Sequence, residues 1–395
     1  MLKTNFTDLI DKIYQKNMKI KKIKILNKNF IFIFDYLFAR QILLNKENFF
    51  AKNEMVFNKI KPITGKNGLV QMQGDISREY RSYSKPIFVL DNIKKNENII
   101  SFIASNYVDK IENNKPLDVS DFIMQLVLEI AFRVFLGFNI NNTKCLGQNF
   151  LRLNELCGKR MMSFFCFPLY IPTLNNLKIN FLKNNIRNSI SEQIELSNYN
   201  IHSDEKNVVN LFKNDNYLID QCMTFLFAGH ETAAASITFT LLLLAEYPYY
   251  QEQIYKGDDD IIKNIYKESL RLYPPAYMLV RQVKKDTIFN DFKLHVSDQI
   301  IICVKQIQQS ERYFYKPQDF FPERFLQHNK NEGFMPFGMG EKSCLGEKYA
   351  YLEAITILRE ICKKFIIKKR EKKIEYSKLI TLHPKQGQFI WLQKR

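Results

Sequence analysis

The sequence predicts a mainly α fold with minor β: a single large helical domain plus small β-sheets. Three observations predict it. Apolar residues recur at helical spacing along most of the chain, with the longest run between about Asn216 and Glu246. Short runs rich in β-branched residues, separated by turns, follow Pro274. No internal repeat, low-complexity linker or Pro/Gly-rich hinge divides the 395 residues, so 1–395 reads as one domain.

The elements follow in order. Leu2, Phe6, Leu9, Ile10 and Ile13 share one face of an amphipathic helix, and Asp8, Asp11 and Lys12 interrupt it too often for a secretory signal. Phe30–Phe34 reads as a buried strand, and Asp35 caps a helix through Leu44. Lys52 to Gly74 reads as glycine-bearing loop. Helical patterns cover Asp75–Phe88 and Asn98–Gly137, with Asp118 opening a long apolar helix that Gly137 ends. Gln148–Arg160 and Asn175–Leu196 are further helices. Met278–Val283 and Gln299–Val304 read as strands, Leu345–Lys364 as the last long helix and Phe389–Leu392 as a final strand.

Hydrophobic residues make up 46% of the chain, enough for a sizeable core and too many for a disordered one. Lys and Arg total 58 against 41 acids, a net charge of +17. Such an excess suits an acidic partner or an anionic membrane surface, and equally fits a general enrichment in Lys, Asn, Ile and Phe. Seven cysteines without a C-x-x-C pair argue against a disulfide framework and a zinc ribbon, and fit a reducing compartment. No stretch reaches the roughly 18 clean apolar residues of a membrane span. A cytoplasmic protein with no transmembrane anchor, peripheral at most, is the expectation. Nucleic acid ranks last as a partner because no recognition motif accompanies the charge.

Five stretches carry chemistry. In Phe337-Gly338-Met339-Gly340-Glu341-Lys342-Ser343-Cys344-Leu345-Gly346, glycines let the backbone turn tightly against something flat. A helix starting after Cys344 should lower its thiol pKa, and Lys342 adds a cation, so the cysteine suits metal ligation. The alternative, an inert buried thiol, is accepted for the other six cysteines. In Ala228-Gly229-His230-Glu231-Thr232, a mid-helix glycine costs about 1 kcal/mol against alanine and needs a reason, either close approach of a ligand or packing. Thr232 can bond back to the Ala228 carbonyl and loosen the helix, making a pocket for a small polar molecule. Glu268 and Arg271 share a helix face, and Arg324 in Phe321-Pro322-Glu323-Arg324-Phe325 can join them in a buried network. Each of the three, taken singly, reads more readily as a surface charge. The fifth stretch, Gly74–Arg81, places Arg81 on an early helix.

Together, in this order, these stretches resemble the cytochrome P450 family from about Phe30 to the C-terminus. Glu268-x-x-Arg271 is similar to the family's E-x-x-R, Phe321–Phe325 to its P-E-R-F turn, Ala228–Thr232 to its A-G-x-E-T, and Phe337–Gly346 to its F-x-x-G-x-R-x-C-x-G. The resemblance implies the cytochrome P450 fold and haem b, with Cys344 as the iron ligand. It implies Thr232 and Glu231 as the groups delivering protons to bound dioxygen, with Ala228 and Gly229 leaving room. Phe337, Gly338, Gly346, Lys342, Arg81 and Arg281 would surround the cofactor, and Glu268, Arg271 and Arg324 would hold the scaffold. Two departures matter. Lysine stands at 342 where the family has arginine, losing a bidentate fork. Ser77 stands where it has Trp or His. The segment 247–265 also looks short, and the proline-rich N-terminal hinge is absent.

The implied activity is a monooxygenase that hydroxylates or epoxidises a lipophilic small molecule. Its electrons would come from a ferredoxin or flavodoxin-type partner and its reductase, docking near Lys342, Lys348 and Arg78. A monomer is the expected state. Ala276, Met278 and Val280, together with Leu69, Val70 and Thr381, are the expected substrate-lining residues. The other readings are a haem-thiolate peroxygenase or rearranging enzyme, and a non-catalytic haem-binding relative.

Overall fold

Asp35 shows how local sequence starts the fold: its carboxylate accepts from Phe38 N at 3.1 Å and caps the helix that follows. The structure, a computed structural model, describes residues 6–15, 18–25, 28–45, 49–138, 143–163, 166–197, 205–289, 292–326, 332–368 and 373–395. The chain opens with α1 (Phe6–Ile13), the expected amphipathic helix, which buries Ile10; Leu2 lies outside the described residues. β1 (Ile20–Ile25) and β2 (Lys28–Ile33) follow, then α2 (Tyr36–Leu44) and β3 (Phe50–Lys52).

The stretch expected as loop contains α3 (Glu54–Thr64). Its N-cap is Asn53, whose side chain accepts from Val56 N at 3.2 Å, and Gly65 at φ 76° ends it. The glycines at 65 and 68 and Pro62 masked this helix: Pro62 sits in its last turn, where the chain is about to leave the helix anyway. Next come α4 (Gly74–Ser84), a 3₁₀ turn at Lys85–Phe88, α5 (Leu90–Val108), β4 (Pro116–Asp118) and α6 (Val119–Ala131). Asp118 caps α6, and after a π-helical turn at Phe132–Leu136 the left-handed Gly137 (φ 83°) stops it, as expected.

α7 (Thr143–Met162), α8 (Leu174–Ser197) and the short α9 (Val208–Phe212) lead to the long central helix. It is α10 (Leu218–Leu226), a π-helical turn at Phe227–Glu231, and α11 (Thr232–Glu246). Leu218–Glu246 is long and apolar enough to cross a membrane, which the sequence reading did not expect, but 83% of its most apolar window is buried inside the fold. α12 (Pro248–Tyr255) and α13 (Asp259–Leu272) complete this half.

β5 (Leu279–Val283), β6 (Thr287–Phe289), β7 (Phe292–Leu294), β8 (Gln299–Ile302) and α14 (Val304–Gln308) follow. The chain ends with α15 (Glu347–Lys364), β9 (Phe365–Lys368), β10 (Tyr376–Lys378), β11 (Leu382–Pro384) and β12 (Phe389–Lys394). One sheet, ordered β1-β2-β8-β5-β3, joins the N-terminal strands to the segment after Pro274; β2 and β8 run parallel, Phe30 opposite Gln299. β4-β12-β9 form a second sheet, and β6–β7 and β10–β11 are hairpins. The main core lies between α5, α6, α11, α13 and α15. α11 is apolar on every side and is buried from Ala233 to Ala245, with α6, α13 and α15 packed around it.

Candidate active site

The cysteine loop is shaped by its own backbone. Cys344 N donates to Phe337 O at 2.9 Å, closing the loop, and Gly338 and Gly340 take φ 68° and 73°. A Cβ on Gly340 would lie 2.3 Å from Leu43 O, so α2 presses its backbone on this turn. Phe337 is half-buried with its ring centroid 5.5 Å from that of Tyr351. Cys344 is exposed at the end of the loop, although the protein around it is close enough to desolvate the sulfur.

The expectation of a thiol pKa lowered by a following helix does not hold. α15 begins only at Glu347, and of the backbone amides only Gly346 N–H bonds the sulfur. Burial outweighs that bond and raises the Cys344 thiol above its usual value, with Glu347 adding to the rise and Arg81 opposing it. A coordinated metal would deprotonate such a thiol outright.

Cations from α4 meet this loop. Lys342 Nζ donates to Ser77 Oγ at 2.8 Å, and Arg81 Nη2 donates to Ser343 O at 2.7 Å. Burial lowers the Arg81 pKa, while the nearby Cys344 raises it. Arg78, offered by the sequence as a docking cation, pairs with Asp75 and lies 3.4 Å from Glu341. Arg281 sits on β5 and its Nη1 donates to Val280 O at 2.9 Å. Leu279 shares its face of the strand, and a Cβ on Gly338 would lie 3.6 Å from Leu279 Cδ1.

On the central helix, Thr232 Oγ1 donates to Ala228 O at 2.7 Å, the back-bond the sequence predicted, across the end of the π-helical turn. Ala228 is exposed and Thr232 half-exposed in an otherwise buried helix, so both face an internal space. Gly229 has a packing reason: a Cβ there would lie 2.4 Å from Phe135 Cε2. That ring fills the place expected for a ligand's approach.

Glu231 points elsewhere than Thr232. Its Oε1 accepts from Asn154 Nδ2 of α7 and from Thr381 Oγ1, while Oε2 is buried with no hydrogen-bond partner among the described residues. Burial pushes its carboxyl up to about 7, against the pull of those two bonds. The adjacent His230, buried beside Phe150, is held down to about 4 by burial.

Sequence reasoning missed the bridge between the two halves of the site. A Cβ on Gly346 would lie 3.3 Å from Phe88 and 3.9 Å from Cys344 Sγ. The Phe88 ring is 6.1 Å from Phe135 and stacks on Phe225, and Phe135 in turn meets Gly229. No local signal marks these rings, because their meaning lies in contacts between distant segments. Asn154 was missed for the same reason.

The Glu268 network is fully assembled. Arg271 grips Glu268 through Nε and Nη2, both at 2.8 Å, with 0% exposure on both side chains. Arg324 Nε donates to Glu268 Oε1 at 2.9 Å, as does Phe321 N. The remaining Arg271 N–H groups go to carbonyls of Gln308, Pro317 and Asp319. The surface-charge reading of these residues is therefore wrong: every one is committed to a buried partner.

The expected substrate-lining residues divide. Ala276, Met278 and Val280 are half-buried around the start of β5. Leu69 is in the main core and Val70 half-buried, in a turn whose carbonyls at Leu69, Val70 and Met72 hold the Lys52 ammonium. Thr381 is buried, its hydroxyl bound to Glu231 rather than facing open space.

A sequence profile described as Cytochrome P450 matches residues 1–391. A cytokinin hydroxylase of Arabidopsis thaliana is 26% identical over 370 residues, covering 80% of this chain and 72% of the relative. A cyclooctat-9-en-7-ol 5-monooxygenase of Streptomyces melanosporofaciens is 25% identical, covering 83% and 78%. Among solved structures, a 6-coordinated cytochrome P450 from Thermus thermophilus superposes with a TM-score of 0.79 at 21% identity, covering 93% of each chain. A second structure, from another strain of the same species, gives 0.81 at 21% identity, covering 95% of this chain and 91% of the other. Profile, relatives and fold agree with the cysteine loop, the π-helical turn in the central helix and the buried Glu268 network: the chain belongs to the cytochrome P450 family and is a haem-dependent monooxygenase.

Proposed function

We propose that residues 1–395 act as one domain that binds haem b through Cys344 and hydroxylates or epoxidises a lipophilic small molecule, using electrons from a separate ferredoxin or flavodoxin-type protein and its reductase. The residues present fit the cofactor. Cys344 is exposed at the end of its loop, Lys342 and Arg81 lie at that loop, and the π-helical turn leaves Ala228 exposed and Thr232 half-exposed on an otherwise buried helix. Haem, when bound, supplies the oxidising chemistry that converts R–H and O₂ to R–OH and water with two electrons and two protons.

The chain's own residues do the rest. Cys344 would hold the iron, and Lys342 and Arg81, with Arg281 from β5, would bind the cofactor's carboxylates. Phe337, Gly338 and Gly346 shape the cysteine loop. Thr232 orients a proton at Oγ1, while Glu231, turned away toward Asn154 and Thr381, ties the central helix to α7 and to the β10–β11 turn. Glu268, Arg271 and Arg324 fix the segment 308–324 that leads into the cysteine loop. Ala276, Met278 and Val280 offer an apolar wall to substrate.

The observation that carries this reading is the Thr232–Ala228 bond at the π-helical turn, tied to the cysteine loop through Phe88 and Phe135. The test supplies a reductase pair or, separately, peroxide to the purified protein with a panel of fatty acids, terpenes and steroids. Product formed only with the reductase pair supports the reading; product with peroxide alone would make the protein a peroxygenase. An acidic partner docks against the exposed Lys348 and Arg78, with a monomer of this chain working in the cytoplasm or at a membrane surface. Lys348→Glu with Arg78→Glu then slows reduction by that partner, and an unchanged rate would sink this docking face.

A further inference from the structure

The two positions at which the chain departs from the family pattern are hydrogen-bond partners. Lys342 Nζ donates to Ser77 Oγ at 2.8 Å, and Ser77 is 1% exposed. Arg81 lies one turn further along the same face of α4 and donates to Ser343 O at 2.7 Å. Arg78 Nη1 approaches Glu341 at 3.4 Å. Three residues of α4 are thus fastened to residues 341, 342 and 343, immediately before Cys344.

The chemistry of the two cations explains why serine and lysine go together. A guanidinium presents a planar fork that orients itself on a carboxylate through two bonds. An ammonium is a compact point charge on a flexible stem, without the preorganised fork that limits what a guanidinium loses on being fixed. Lysine at this position therefore gains from an anchor on the protein. A small hydroxyl at 77 accepts one N–H and leaves room for the stem, whereas a large ring there would occupy the space through which the stem reaches α4.

We propose that Ser77 is a positioning residue. Its hydroxyl holds the Lys342 ammonium beside Arg81, so that the two cations form one carboxylate-binding pair for the acidic edge of the cofactor. Ser77 and Lys342 then act as a unit, each depending on the other. The inference rests on the haem-thiolate reading.

The test compares wild type, Ser77→Ala, Lys342→Met and the double variant, each first checked for the reduced carbon monoxide spectrum. The readout is the rate of haem transfer to excess apomyoglobin, with the thermal midpoint of the haem-free chains as a control for folding. Ser77→Ala should speed haem loss about tenfold, the worth of one hydrogen bond to a charged group. In the Lys342→Met background the same change should alter the rate less than about twofold, because the partner it positions is gone. Ser77→Thr, which keeps the hydroxyl, should stay near wild type. Equal effects of Ser77→Ala in both backgrounds, or no effect in wild type, would overturn the inference and leave the haem-thiolate reading standing. A wild-type protein without a thiolate-ligated haem would overturn both.

Discussion

Thr381, in the turn between β10 and β11, donates its hydroxyl hydrogen to the same oxygen of Glu231 that accepts from Asn154 of α7. One buried carboxyl thus ties the central helix to two separate segments. Both bonds favour the ionised form, and burial outweighs them, leaving the carboxyl near 7. The folded state therefore holds this proton above the pH at which an unfolded glutamate loses it. Stability falls as pH rises from the usual carboxyl range toward about 7 and stays lower beyond it. Glu231→Gln should flatten that fall, so thermal midpoints of variant and wild type, matched at pH 5, diverge in the variant's favour by pH 8. Thr381→Val removes a bond to the ionised form and should steepen it. Parallel midpoint curves for Glu231→Gln and wild type would contradict the assignment.

Thr232→Val removes the hydroxyl from the Ala228 carbonyl and from the internal space. Reducing equivalents should still be consumed, but most should appear as hydrogen peroxide rather than product, with the haem spectrum unchanged. Thr232→Ser should restore coupling. Product yield per electron pair checks both, and an undiminished yield in Thr232→Val would remove Thr232 from proton delivery.

Gly229→Ala places a methyl group 2.4 Å from the Phe135 ring. The expected cost is about 1–3 kcal/mol, the range for overpacking a filled core. Phe135→Leu should relieve part of it in the double variant, and chemical denaturation of the single and double variants measures the coupling. Additive effects would mean that Gly229 is required for something other than this ring.

Breaking the Glu268 network should unfold the protein rather than tune it. Arg271→Leu leaves Glu268 buried with only Arg324 and an amide, and removes donors from three carbonyls. A loss of about 3–5 kcal/mol is expected for removing one partner of a buried ion pair. Arg271→Lys should recover little, because an ammonium cannot span the carboxylate and those carbonyls together. Soluble yield and denaturation midpoint check the prediction.

Much of this was legible in the sequence because its causes are local. Asp35, Asp118 and Gly137 cap or stop helices through their own side chains or backbone freedom, and the Phe30–Phe34 strand is apolar throughout. The Thr232 back-bond is likewise a matter of four residues. The helix α3 was hidden because glycine and proline crowd its end while its start rests on Asn53 alone. The direction of Glu231, the packing role of Gly229 and the raised Cys344 thiol depend on Asn154, Phe135 and burial, which residue spacing does not encode. Arg271 read as a surface charge until its carbonyl partners, some forty residues on, came into place.

The account stands or falls on Cys344 as the iron ligand, and the absorption spectrum of the reduced, carbon monoxide-treated protein tests it most directly. Wild type should give the strongly red-shifted Soret band of thiolate ligation, and Cys344→His should lose it while still binding haem. A wild-type band typical of a histidine or neutral ligand, or no haem at all, would contradict the site described for this chain.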